Sequence, residues 1–369
     1  MLRKLRIAYI AHSLRSDWNN GNAHFLRGLL RALQALGHTV TVIEPEREWS
    51  IENLRTEPLG PQSIADFSRT YSDLNIDTYT PDEPASIWLN RLRETDVVIL
   101  HEWNPPELAQ RLLDLRDQIG FRLLFHDTHH RASSSPEQMR LFQLDRFDGI
   151  LAFGIALERI YREHFGLTRV WTLHEAADIT VFHPLPQAEK HDDIVWIGNW
   201  GDGERSAEIR DFLIDPIANL PGTHATIYGV RYPEDGLQAL DRAHIHYGGY
   251  LPNLQAPSAY ASASLTVHIP RQQYASAMLG IPTIRVFEAL ACGIPLISAP
   301  WQDTENLFRD GDFRSVANGA EMKSAICDLL RDPAAAQAQA SRGLQTVLSH
   351  HTCHHRAQQL TLICEELLS

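Results

Sequence analysis

The chain has no apolar run approaching the roughly 20 residues that a membrane-crossing helix requires. It has few cysteines: Cys292, Cys327, Cys353 and Cys364 all lie in the C-terminal part, in helix-like surroundings. No spacing among them suggests a disulfide frame, so reduced thiols are expected. Positive charge is also short, with 33 Lys and Arg against 46 Asp and Glu and a formal net charge of −13. That balance argues against a broad electrostatic grip on nucleic acid or anionic lipid. Arg3, Lys4 and Arg6 leave only a local, peripheral membrane contact open. No GxGxxG follows the first strand-like run, and GxxxxGK[ST], GxSxG and HExxH are missing, which removes the main signals for nicotinamide, P-loop, serine-hydrolase and zinc-peptidase chemistry. MLRKLR passes straight into the strand-like IAYIA. That run is too short for the apolar region of a signal peptide and has no small-residue cleavage site, so the expected compartment is the cytoplasm.

What is present reads as two globular domains. Hydrophobic residues make up 44% and charged residues 21% of the 369 positions, a normal balance for a folded chain too long for one ordinary core. The run at 5–11 is of strand length. In the following segment Phe25, Leu26, Leu29, Leu30, Leu33 and Leu36 recur at helical spacing, Gly37 stands where a helix stops, and 39–43 reads as the next strand. This βαβ logic repeats through strands at 95–100, 121–127 and 148–154, with an irregular stretch at 45–94 that is either a set of helices or an elaborated loop. A second alternation starts at 193 and continues through strands at 223–229, 264–270 and 295–299, with helices near 206–214, 254–263 and 284–293. The pattern predicts two doubly wound α/β domains, 1–180 and 181–351, with a proline-bearing hinge near 180–193 and a nearly all-helical tail broken at Asp332–Pro333.

Ligands of such sheets bind beyond the C-terminal strand ends, and those positions are polar here. The first domain offers His12, Asp17, Trp18, Asn19 and Gly21, then His101, Glu102, Trp103 and Asn104, then His126, Asp127, His129, His130 and Arg131. The second offers Asn199, Glu204, Arg205, Tyr228 and Arg271. A loop with Gly280 and Pro282 leads to Thr283, a good N-cap, and the helix that starts there suits a diphosphate. Glu288 follows, placed for paired ribose hydroxyls, while Arg285 can meet phosphate or simply pair with Glu288. For Trp18, Trp103 and Trp200, stacking on a sugar or base competes with plain core packing. Neither His126–His130 nor His350–His355 reads as a metal site, because adjacent side chains in a turn or helix diverge. No metal and no resident cofactor is expected.

Taken together these pieces resemble the group 1 glycosyltransferases of the GT-B fold, in particular a family 4-like, spore-maturation-protein-like branch. The resemblance spans nearly the whole chain. NNGNAHFLRGLLRALQALGHTVTVIEP is similar to the family's opening, FHD at 125–127 to its "T-x-H-D" strand end, and HEAADITVFHP to its crossing into the second domain. IVWIGNWGDGER resembles the first strand and loop of the donor domain, and SHHTCHHRA the branch's C-terminal "H-T-x-x-H-R". The most specific match is TIRVFEALACGIPLISA, similar to "E-A-x-A-C-G-x-P-V-I". One departure stands out: where family 4 usually has a first glutamate contacting the donor sugar, this chain has Gly280, which leaves donor sugar and stereochemistry open.

The resemblance implies two facing Rossmann-like domains, with the final helix, 352–369, crossing back to the first. It implies transfer of sugar from a nucleotide-diphosphate donor, UDP- or GDP-linked, to an acceptor hydroxyl in the interdomain cleft, without a metal. Asn199, Arg205, Tyr228, Arg271, Thr283, Arg285 and Glu288 would hold the donor. Trp18, Asn19, Gly21, Trp103 and His129 would face a glycan, lipid-linked, small-molecule or protein acceptor, and nucleic acid is not an expected partner. His126 would contact the sugar or the attacking hydroxyl, with Asp127 or Asp17 as base if the reaction inverts. The rivals are a nucleotide-sugar epimerase of the same fold and a non-catalytic nucleotide-sugar- or glycan-binding protein.

Overall fold

The computed structural model describes residues 3–185, 188–201 and 203–369, so part of the expected hinge, Pro186 and Gln187, lies outside the described residues. Contacts divide the chain into two compact units, Met1–Glu175 with Cys353–Ser369, and Ala176–Thr352.

The first unit is built on seven parallel strands: β1 (Arg6–Ile10), β2 (Thr39–Pro45), β3 (Asn75–Tyr79), β4 (Val97–His101), β5 (Arg122–Asp127), β6 (Gly149–Ala152) and β7 (Val170–Thr172), in the order β3-β2-β1-β4-β5-β6-β7. Ile7 is in register with Val40 on one side and Val97 on the other. A central strand buried on both faces needs such a continuous apolar run. The helix Ala23–Ala35 lays Phe25, Leu26, Leu29, Leu30 and Leu33 onto the sheet, all fully buried, and each contributes about 1.5–3 kcal/mol by leaving water. It stops at Gly37, whose φ of 92° suits glycine. The final helix, Cys353–Leu368, packs beside it. Buried contacts fix it there: His38 Nε2 lies 2.9 Å from Thr361 Oγ1, and Arg356 donates to the His174 carbonyl at 3.0 Å.

The irregular stretch is resolved as helices Trp49–Thr56 and Gly60–Thr70, strand β3 and helix Ala85–Leu92. The second unit holds a six-stranded parallel sheet: β8 (Asp192–Ile197), β9 (Ala225–Tyr228), β10 (His246–Gly249), β11 (Ala263–His268), β12 (Leu296–Ser298) and β13 (Arg314–Ser315), ordered β10-β9-β8-β11-β12-β13. Its core gathers Trp196, Ile227, Leu265, Val267, Ile297, Met322 and Ile326. The helix expected over 206–214 is interrupted: Ser206–Ile209 passes through a π turn at Arg210–Ile214 into Asp215–Ala218. Pro216, which lacks an N–H, stands just beyond that widened turn. The break at Asp332–Pro333 is a helix start, with the Asp332 side chain accepting from the Ala335 N–H at 3.0 Å.

Candidate functional site

Each sheet reverses its strand order once, and the loops at that point diverge and leave a crevice. In the first unit the reversal falls between β1 and β4. His101 and His126 are register partners at the ends of β4 and β5, their rings 5.9 Å apart, and His12 stacks on His101 at 5.2 Å. A hydrogen-bonded chain runs inward from His12. Its Nδ1 lies 3.3 Å from His101 Nδ1, His101 Nε2 lies 3.1 Å from Thr128 Oγ1, and Thr128 donates to Glu102 Oε1 at 3.2 Å. With Thr128 donating to the carboxylate, His101 Nε2 must carry the proton, so His101 Nδ1 accepts from His12. Glu102 Oε2 accepts from Arg131 at 2.5 Å, and that guanidinium covers one face of Trp103 at 4.1 Å.

Burial sets the charges of this cluster. It pulls His12 and His126 down to about 3, aided at His12 by Arg131, and pushes His101 far below its ordinary value. It pushes Glu102 up, with neighbouring Asp127 adding to the effect, and raises Asp127 as well. The imidazoles are therefore neutral at neutral pH, and Arg131 supplies the positive charge.

Several expected roles change with this geometry. His126, expected against the sugar, is fully covered: Tyr9 Oη holds its Nδ1 at 2.7 Å, and its buried Nε2 has no hydrogen-bond partner among the described residues. Asp127 is covered too, one oxygen accepting from the Tyr161 hydroxyl and the other from the His129 N–H at 2.9 Å. Asp17, a candidate base, is instead paired at 3.3 Å with Arg27, itself buried. Trp18 is buried, donates to Glu57 at 2.6 Å and meets Trp49 edge-on at 4.8 Å. Trp103 is 43% exposed with His129 edge-on at 4.9 Å. Asn19 adopts φ 49° in the half-buried loop that also carries Gly21.

In the second unit the reversal lies between β8 and β11. Arg205 donates from Nε to the Asn199 carbonyl at 3.1 Å and from Nη1 to the Ile269 carbonyl at 3.3 Å, with its guanidinium 5.3 Å from the Trp196 ring centre. Burial first, then Arg271 and Arg285, draw its pKa down to about 10. Arg271 and Arg285 thus repel Arg205, while Arg271 is itself paired with Glu204 and Arg285 with Glu288. The Asn199 side chain accepts from the Val230 N–H at 2.9 Å and ties two loops together, and Tyr228 stands half-buried at the end of β9. Thr283 occupies the N-cap of helix Ile284–Ala291, though its side chain makes no capping bond. Glu288 is fully buried and accepts from Arg285, the pairing that competed with a phosphate role.

Gly280 stands where the family 4 pattern that the chain resembles has its first glutamate. Its φ is 95°, and a β-carbon there would overlap Thr304 Oγ1 and stand 2.8 Å from Glu305 Cγ. Any other residue there would strain the backbone and force the Thr304 and Glu305 side chains to shift.

The comparisons agree with this architecture. Residues 205–361 match the family model described as glycosyl transferase-like. No curated protein matches the chain in sequence. HepE of Anabaena, solved with UDP and glucose, superposes with a TM-score of 0.72 at 13% identity, over 98% of this chain and 100% of that one. Sucrose-phosphate synthase of Thermosynechococcus elongatus does so with a TM-score of 0.65 at 17% identity, over 99% of each. An α-glucosyltransferase solved with UDP and a 13-mer DNA gives 0.72 at 12% identity, over 98% and 100%. The chain therefore has the GT-B fold, and its residues 205–361 are similar to the glycosyl transferase-like family. One protein of that fold is solved with DNA, so the fold lends no support to the expected exclusion of nucleic acid. Among the described residues no helix is long and apolar enough to cross a membrane.

Sequence reasoning passed over Tyr9, Tyr161, Arg27 and Trp49, and gave Glu102, Asn104, Thr128 and Arg131 no role. Tyr9 and Tyr161 read as core aromatics, and only their hydroxyls, which need partners when buried, hinted at more.

Proposed function

We propose that the protein transfers a glycosyl group from a UDP-sugar to an acceptor hydroxyl without a metal ion, the second unit holding the donor and the first the acceptor. The observation that carries this reading is the half-buried Arg205 at the strand reversal of the second sheet, hydrogen-bonded to the Asn199 and Ile269 carbonyls, with Arg271 and Arg285 near enough to lower its proton affinity. Arg271 and Arg285 each have a carboxylate partner, Glu204 and Glu288, while Arg205 is held by backbone carbonyls and brings its charge to a diphosphate. As the anomeric C–O bond breaks, the electron pair stays with the diphosphate oxygen, and fixed cations there stabilise the growing charge. The N–H groups at the start of helix Ile284–Ala291 would add to this. Glu288 would meet the ribose hydroxyls while keeping Arg285 in place. UDP rather than GDP is supported by the UDP held in HepE and in the α-glucosyltransferase.

In the first unit, His126 and Asp127 act from beneath the surface. His126 would fix Tyr9, and Asp127 would fix Tyr161 and the loop carrying His129 beside Trp103. Trp103 and His129 remain the acceptor-facing residues of this reading. The experiment is UDP release from a panel of UDP-sugars, with and without EDTA. Turnover unchanged by EDTA is expected. Turnover abolished by EDTA and restored by a divalent cation would refute metal independence, and nucleotide binding without release under any condition would favour the non-catalytic rival.

A further inference from the structure

The hydrogen-bonded chain that starts at His12 has a surface end and a buried end. At the surface end His12 is half-buried and lines a pocket of about 390 Å³ beside Trp103. Its Nδ1 is committed to His101, which leaves Nε2 as the atom that can meet a ligand, and the fold does not seal that nitrogen as it seals the His126 Nε2. At the other end Glu102 is fully buried, with Oε1 accepting from Thr128 and Oε2 from Arg131. His101 and Thr128, the two links between, are buried as well.

Each link holds its proton in one direction. Thr128 Oγ1 accepts from His101 Nε2 and from Asn22 Nδ2 at 2.8 Å, which uses both its lone pairs and leaves its own proton for Glu102. His101 Nδ1 is then the acceptor for the His12 Nδ1–H, and His12 Nε2 carries a lone pair. A single row of donors thus points from the pocket to one carboxylate. Burial keeps His12 from holding a positive charge of its own, whereas it raises the proton affinity of Glu102. A proton taken up at His12 therefore has one place to go. In a single displacement at an anomeric carbon the acceptor proton passes to a protein base; in front-face transfer with retention it goes to the departing diphosphate instead.

We propose, on the transferase reading above, that His12 is the base for the attacking hydroxyl, that His101 and Thr128 relay its proton to Glu102, and that the transfer inverts the anomeric centre. As the acceptor oxygen bonds to the anomeric carbon, the bond to the diphosphate breaks and its electron pair leaves with UDP. The acceptor proton passes to His12 Nε2, the His12 Nδ1 proton to His101 Nδ1, the His101 Nε2 proton to Thr128, and the Thr128 proton to Glu102. Glu102 ends neutral, and the same row of hydrogen bonds points the other way.

The test uses methanol as acceptor, because a methyl glycoside does not mutarotate. The full chain is incubated with α-linked UDP-glucose, UDP-galactose or UDP-N-acetylglucosamine, and the product is read by proton NMR. The methyl β-glycoside is expected, formed about 10²–10⁴-fold more slowly in His12→Gln. Thr128→Val should lose about tenfold or more, and Thr128→Ser, which keeps the hydroxyl, should recover most of it at the same melting temperature. A methyl α-glycoside, a His12→Gln rate close to the parent's, or equal rates in folded Thr128→Val and Thr128→Ser overturns the proposal. If Thr128→Val does not fold, the first two readouts decide. Methyl glycoside from none of the donors counts against the transferase reading and takes the base with it, whereas the α-glycoside leaves transfer standing and removes the base alone.

Discussion

The pair between Asp17 and Arg27 distinguishes a structural carboxylate from a catalytic one. Arg27 sits inside helix Ala23–Ala35, buried, with Nη1 3.3 Å from Asp17, Nε 2.8 Å from the Leu14 carbonyl and its guanidinium 4.6 Å from the Phe67 ring centre. Breaking a buried pair by removing one partner costs about 3–5 kcal/mol, and the lost, desolvated cation–π contact adds about 2 kcal/mol. For a domain of this size each kcal/mol moves the midpoint by about 2–4 °C, so Arg27→Met is expected to lower the melting temperature of the first unit by roughly 10–28 °C. Asp17→Asn keeps the shape and gives up the charge, and in the Arg27→Met background it should recover part of the loss. Differential scanning calorimetry of the four-member cycle reads the coupling directly. The turnover of folded Asp17→Asn should stay within a few-fold of the parent. An Asp17→Asn variant with an unchanged melting temperature and turnover down a thousandfold would refute the structural assignment and restore Asp17 as the base.

Two further outcomes follow from the second unit. Gly280→Glu, which introduces the glutamate of the pattern that the chain resembles, should destabilise the protein by about 1–3 kcal/mol through its left-handed backbone alone, with no gain in UDP release. A gain in rate at unchanged stability would contradict the crowding by Thr304 and Glu305. His268, buried with Nδ1 2.9 Å from Ser298 Oγ, is held down to about 3 by burial and then by Arg205. A folded pKa below the unfolded value of about 6.5 means this contribution is complete above pH 6.5 and is lost as pH falls towards 3, roughly 2 kcal/mol by pH 5. His268→Asn should therefore show a smaller drop in melting temperature between pH 7 and pH 5 than the parent, and equal drops would show that His268 takes no part.

The fold was legible wherever burial on both faces forced a continuous apolar run. β1, β4, β5 and β6 and the helix Ala23–Ala35 stood out for that reason. β3 did not, because an edge strand reading NIDTY buries only Tyr79 well and has no period to betray it. The two-residue β13 lies below any pattern. The site was legible as a set of strand-end loops, since topology dictates where these fall. Which side chains open to solvent was not. Trp18 and Trp49 differ by the packing of one ring over the other, and Arg27 looks in sequence like any surface arginine on an amphipathic helix.

The central claim is tested most directly by a thermal-shift screen of the protein and of Glu288→Ala against UDP, GDP, ADP, CMP and TDP. At about 100 times its dissociation constant a ligand adds roughly 2.7 kcal/mol of stability. A shift with UDP that disappears in folded Glu288→Ala is the predicted result. No shift with any nucleotide at millimolar concentration, or a UDP shift indifferent to Glu288, would contradict the assignment of the second unit as a nucleotide-sugar site.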